Sequence, residues 1–159
     1  MALRKIFTND APCLRKVSKP VLLFDERLHR LLEDMADTLY KADGVGLAAP
    51  QIGILKRIVV IDLRDGSGLL EMINPAIVSC AGSQTGPEAC LSFPRLHGIV
   101  TRPNEVTVRF QDRFGETREL RGEGLFARAV CHETDHLQGK VYLDIATDLQ
   151  FVPAKEESE

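Results

Sequence analysis

From Asp25 onwards the apolar positions recur at helical spacing. Leu28, Leu31, Leu32, Met35 and Leu39 build one apolar stripe, with Asp25 placed as an N-cap and Gly44 and Gly46 as the stop. At residues 57–63 the pattern changes to Arg-Ile-Val-Val-Ile-Asp-Leu, a short β-branched run that predicts a buried strand. Farther on, Val106, Val108 and Phe110 alternate with Thr107, Arg109 and Gln111, the period of a half-buried strand. The turn Asp-Arg-Phe-Gly at 112–115 leads that strand into a hairpin partner around 117–120. Pro75, Pro87, Pro94 and Pro103 divide the middle of the chain into short extended pieces. A last helix is predicted over 125–138, with Gly139 just past its end.

Helices at both ends with strands between predict an α+β fold, with small mixed or antiparallel sheets packed around a C-terminal metal-binding helix, plus an N-terminal helix. At 159 residues, with no internal repeat or linker, the chain is expected to form one domain. A domain of that size buries roughly 70% of its unfolded surface. The expected boundaries are a catalytic domain at 1–148 and a charged, frayed tail at 149–159, ending Pro-Ala-Lys-Glu-Glu-Ser-Glu.

Charge removes some function classes. The net charge is −3 and Lys and Arg are scattered, so neither nucleic acid nor an anionic membrane is called for. No run of 18 or more apolar residues predicts a spanning helix, and no apolar stretch follows the basic residues near the start, as a secretory signal would need. The expectation is a cytoplasmic protein. In that reducing setting Cys13, Cys80, Cys90 and Cys131 are thiols, and a special cysteine is a metal ligand or a catalytic group.

The chemistry concentrates at His-Glu-Thr-Asp-His, residues 132–136. On a helix, residues four apart share a face, so His132 and His136 can bind one metal. Glu133 lies about 100° around the helix from His132, where it can reach activated water without ligating the cation. Either histidine alone is more simply a packing or capping residue; the full spacing with its glutamate is not. Two histidines do not complete a site. In one large protease class a glycine and then a third histidine follow. Here Gly139 fits, but Tyr142 stands at the next position and no histidine follows His136. Asp144, Asp148 and the tail glutamates keep a zincin-type metallopeptidase open, and a non-enzymatic zinc module is a third class.

Two further segments change the picture: Gly-Val-Gly-Leu-Ala-Ala-Pro-Gln at 44–51 and Glu-Ala-Cys-Leu-Ser at 88–92. With 132–136 they resemble the three motifs of the peptide deformylases (GϕGLAAxQ with ϕ apolar, EGCLS and HExxH), in that family's order and at its usual separations. The similarity spans residues 1 to about 148. It implies a hydrolase that removes the formyl group from the N-terminal methionine of new proteins and releases formate. Carried over residue by residue, it makes Cys90, His132 and His136 metal ligands and Glu133 the general acid/base. Gln51 and the backbone N–H of Leu91 become donors to the oxyanion. A thiolate and two imidazoles with an open position also suit a catalytic rather than a structural metal site. Cys131 points about 100° away from His132, and like Cys13 and Cys80 it is expected to be a small buried apolar residue.

The resemblance further implies Fe(II) as native metal, with Zn(II), Ni(II) or Co(II) as substitutes, a formylmethionyl peptide as substrate, and the ribosome near its exit tunnel as a candidate partner. Val45, Gly86, Leu125 and Ala129 are expected near the methionine side chain and Glu88 and Ala89 beside the substrate, while Gly44 and Gly46 let backbone approach it. Glu88, Ser92 and Asp135 either orient the histidines or hold loops together. Arg102 is expected to receive a peptide carboxylate or to pair with Glu88. Ala89 departs from the motif's glycine: at positive φ its Cβ would shift Cys90, and at negative φ it would only narrow the space beside the substrate. A deformylase-like protein with weak or altered acyl specificity is therefore the alternative within the family.

Overall fold

The computed structural model describes residues 2–152. Helix α1 (Glu26–Lys41) starts where the Leu28 N–H donates to the Asp25 carboxylate at 3.1 Å, the predicted cap. After it come β1 (Gly46–Ala48), β2 (Ile58–Asp62), β3 (Leu69–Ala81), β4 (Gln84–Cys90), β5 (Phe93–Arg102), β6 (Glu105–Gln111) and β7 (Thr117–Glu123). Helix α2 (Leu125–His136) and β8 (Thr147–Phe151) follow. The strands form a five-stranded sheet in the order β1-β2-β3-β6-β7 and a three-stranded sheet in the order β4-β5-β8. Every pairing within them is antiparallel, so the fold is α+β. None of the helices described is long and apolar enough to cross a membrane.

The unbroken apolar run in β2 follows from cover on both faces. Ile58 and Val60 pack into the core under α1, whereas Val59 and Ile61 face the core that holds α2. Alternating side chains thus serve two cores, and no position of 58–61 is left for a polar residue. A third cluster joins Cys90, Phe93 and Val100 to Val141 and Tyr142. Helix α2 is wedged among these layers, and Ala127 to Glu133 are all buried together with His136. A polar residue in that run needs a partner or a chemical purpose.

Three expectations change. The middle of the chain is not cut into short pieces: β3 is 13 residues long and carries Pro75. The register shifts between Ile73 and Ala76, with Asn74 at φ +53°, so Pro75 sits at a bulge that needs no N–H. The Asn74 side chain holds the bulge by bonding both the N–H and the carbonyl of Val21. Pro87 lies in β4, an edge strand, where a missing donor does little harm. Second, residues 149–151, expected to fray, complete β8 on β5 with Leu96 opposite Phe151 and His97 opposite Gln150. Backbone pairing, which charge and hydropathy do not register, orders them; 153–159 lie outside the described residues. Third, α2 ends at His136, short of 138. Gly139 (φ +73°) returns its N–H to the His136 carbonyl, and a Cβ there would lie 2.6 Å from the Arg15 carbonyl oxygen.

Candidate active site

Cys90 closes β4, while His132 and His136 stand one turn apart on α2. Their donor atoms all lie within 4.8 Å of one another, and Cys90 Sγ is 3.4 Å from His136 Nε2. Metal–nitrogen bonds of about 2.0–2.1 Å and a metal–sulfur bond of about 2.3 Å at tetrahedral angles separate such donors by about 3.3–3.6 Å. The three side chains therefore fit a metal ion with modest adjustment. Cys131 points away into the core behind α2, where burial pushes its thiol up to about 11. Of the other cysteines, Cys80 is exposed and Cys13 half-buried, so the expectation of small buried residues fails for both. Asp144 bonds Arg15 at 2.8 Å and the Val141 N–H, and takes no part in the group.

Behind His132 lies a buried ion cluster. The His132 Nδ1 donates to Glu88 at 2.8 Å, which leaves Nε2 for a metal. Arg102 grips Glu88 with two bonds of 3.0 Å each and reaches Asp135 at 2.7 Å. Arg128 adds a fourth bond to Glu88 at 2.6 Å. Of the two expectations for Arg102, pairing with Glu88 is the one found. Burial alone would push Glu88 up, but hydrogen bonds and charge from His132 and Arg102 hold it at about 2. His132, despite its burial, is raised by Cys90, Glu133 and Glu88, whereas burial and the charge of His132 push His136 down.

Glu133 behaves oppositely to Glu88. It is buried, its Oε1 has no hydrogen-bond partner among the described residues, and burial pushes its carboxyl up to about 7. Gly46 makes room for it: a Cβ there would stand 2.5 Å from Glu133 Oε2. Gln51 is held by its own carbonyl, which accepts from the Ala48 N–H at 2.9 Å. Its amide nitrogen donates to Ser92 Oγ at 3.0 Å and reaches Cys90 Sγ at 3.4 Å.

A cleft of about 480 Å³ opens onto these groups. Of the expected substrate residues, Gly44, Val45, Gly46, Glu88, Ala89, Leu125 and Ala129 line it, as does Leu91. Gly86 does not. It pairs with Val100 inside the small sheet, and a Cβ on it would face the Arg128 guanidinium at 3.4 Å. Gly86 shares a face of β4 with Glu88 but lies farther along the strand from Cys90, beneath the Arg128 guanidinium rather than at the cleft wall. Ala89 is exposed and does not adopt a left-handed backbone, so its methyl narrows the cleft without displacing Cys90. The sequence reading leaves out Arg128 and Tyr142. Arg128 precedes His132 by one turn on the same face, a spacing that could have flagged it. Nothing in the sequence announces that the Tyr142 ring stacks on His132 at 5.7 Å, with its hydroxyl donating to the Leu96 carbonyl.

The polypeptide deformylase family model matches residues 3–151. The chain is 53% identical to the peptide deformylase of Caldicellulosiruptor bescii over 156 residues, 98% of this chain and 92% of that one. The chain belongs to the polypeptide deformylase family. The crystal structure of a peptide deformylase from Legionella pneumophila superposes with a TM-score of 0.89 at 47% identity, covering 92% of this chain and 88% of that one. The Synechococcus elongatus enzyme, solved in complex with actinonin, superposes at 0.87 with 37% identity over 91% and 79%. The deformylase reaction is a hydrolysis that frees the N-terminal methionine of its formyl group. The family is metal-dependent, and among the described residues Cys90, His132 and His136 form a group that could hold a metal ion.

Proposed function

We propose that this deformylase works at the Cys90–His132–His136 centre, with Glu133 moving the proton and Fe(II) as the resident metal. The observation that carries the assignment is the unpaired, buried Glu133 carboxylate beside three converging ligand atoms. A cation held there supplies Lewis acidity and makes water nucleophilic near neutral pH. Thiolate and imidazole donors suit Fe(II), Zn(II), Ni(II) and Co(II) alike, so Fe(II) rests on the family.

Glu133 has the character a proton carrier needs. Burial favours its neutral form, so it can take a proton from water and return it to the departing amine. The Gln51 amide, fixed by Ala48 and Ser92, and the Leu91 N–H would stabilise the oxyanion that develops on the formyl oxygen. Losing one such donor typically costs about 10²–10³ in rate. The substrate backbone has somewhere to go: β1 is an edge of one sheet and β4 an edge of the other, and both border the cleft. An extended peptide laid there gains backbone hydrogen bonds from either edge. Its methionine side chain would rest against Val45, Leu125 and Ala129. The catalytic unit runs to the end of β8, and its setting is the cytoplasm, where formylated chains leave the ribosome.

The test is anaerobic metal analysis with a formate-release assay on formyl-Met-Ala-Ser, comparing the protein with Cys90→Ala and Glu133→Ala. Release by the unsubstituted protein alone, with iron bound, supports the assignment. Full activity in either variant overturns it.

A further inference from the structure

Arg95 holds a backbone conformation that a residue with a Cβ adopts only under strain. It lies in β5 at φ +64°, between Pro94 and Leu96, where glycine would be at ease. Pairing keeps it there: its carbonyl accepts the Val152 N–H at 2.7 Å, and Leu96 is paired with Phe151. Strain of this kind gathers at functional sites, and Arg95 lines the cleft together with Phe93 and Pro94.

Apart from Glu133, buried at the catalytic end, the other charges around the cleft are committed. Glu88 is shared by His132, Arg102 and Arg128. Arg128 is consumed by Glu88 and by the Gly86 and Val100 carbonyls. Asp43 on the opposite rim pairs with Arg64 at 3.5 Å. The exposed Arg95 guanidinium has no hydrogen bond or ion pair among the described residues. It is the cleft's uncommitted cation, five residues beyond Cys90.

We propose that Arg95 is a specificity-determining residue that favours formylmethionyl peptides with an acidic side chain among the residues following the methionine. This rests on the deformylase reading above. With the formyl group at the Cys90 end, the rest of the peptide must leave through the mouth of the cleft, past a side chain long enough to meet it. A planar guanidinium pairs two hydrogen bonds with a carboxylate, which neither a neutral nor a basic side chain can accept in the same way. The C-terminal carboxylate of a short peptide would meet the same group, so the substrates must be amidated.

The experiment measures kcat and KM of the metal-loaded enzyme on amidated formyl-Met-Ala-Ala-Ser and on versions with Glu at each position after methionine. Wild type is compared with Arg95→Gln, Arg95→Lys and Arg95→Glu. At low ionic strength the favoured glutamate peptide should exceed the neutral one by about two- to fivefold in kcat/KM, the scale of an exposed ion pair. The difference should lie in KM and shrink at high salt. Lysine should keep most of the ratio, glutamine abolish it and glutamate invert it. Equal kcat/KM on all peptides in wild type, or an unchanged ratio in Arg95→Gln, overturns the inference. No formate from any peptide overturns the deformylase reading itself, and the inference with it.

Discussion

Replacing Gly46 by alanine tests the placement of Glu133 without touching Glu133. The backbone of Gly46 is not left-handed, so alanine meets no conformational penalty there. Its Cβ, however, would stand 2.5 Å from Glu133 Oε2, 2.9 Å from Cδ and 3.0 Å from Cγ, where ordinary contact begins at 3.4 Å. The carboxylate would therefore have to retreat by about 0.9 Å. A misplacement of about 1 Å at a reacting group costs on the order of 10²-fold in rate, equivalent to about 2.7 kcal/mol of barrier. The ceiling is the loss of Glu133 altogether, about 10²–10⁴-fold for a general acid/base. Stability should move little, because alanine removes about 0.4–1 kcal/mol of unfolded-state entropy while the displaced carboxylate repacks. The loss belongs in kcat with KM nearly constant, since a proton carrier acts in the transition state. Steady-state formate release, metal analysis and a thermal melt on the same preparation measure all three quantities. A Gly46→Ala enzyme with normal metal content and kcat within threefold of wild type would refute the reasoning, because Glu133 would then be free to work from elsewhere.

Further substitutions separate the roles around the centre. Glu133→Ala should retain one metal per chain and lose about 10²–10⁴ in kcat; loss of the metal itself would make Glu133 a ligand. Glu88→Gln leaves Arg102 and Arg128 without their shared counter-charge, so stability should fall by about 3–5 kcal/mol in urea unfolding. Its metal affinity should weaken by about 10–100-fold in a chelator competition, and an unchanged affinity would remove Glu88 from the orientation of His132. The two glutamates give the apo protein opposite pH dependences. Glu133 is raised from 4.5 to about 7, so the folded state holds its proton more tightly and stability falls as pH rises through that window. The fall is on the order of 3 kcal/mol, and Glu133→Gln should remove it; equal pH slopes in the two apo proteins would contradict the burial argument. Glu88 is lowered from 4.5 to about 2, so its contribution is complete above 4.5 and is lost as pH falls through about 2.

Local signals in the chain determine its elements and its chemistry. The stripe of α1, the β-branched run of β2 and the alternation of β6 each carry a period that reports which face is buried, because burial acts on side chains one at a time. The spacing of His132 and His136 needs only the pitch of a helix to bring two imidazoles together. The motif segments likewise place Cys90 and Gln51 near them by resemblance. What depends on contacts between distant residues comes from the tertiary structure alone. Pairing onto β5 makes a strand of 149–151, although nothing in their composition demands one. The packing of α2 on β4 puts Gly86 beneath Arg128 and out of the cleft that Ala89 lines. Arg102 becomes a structural partner of Glu88, and Arg128 joins them, only once β4, β5 and α2 converge. The two glutamates of the centre differ for the same reason. Glu88 is buried against three hydrogen-bond donors and stays ionised, while Glu133 is buried beside a glycine with one oxygen unpaired and holds its proton to about 7. A carboxylate's proton affinity depends on what surrounds it in space, and that environment is assembled from residues far apart in the chain.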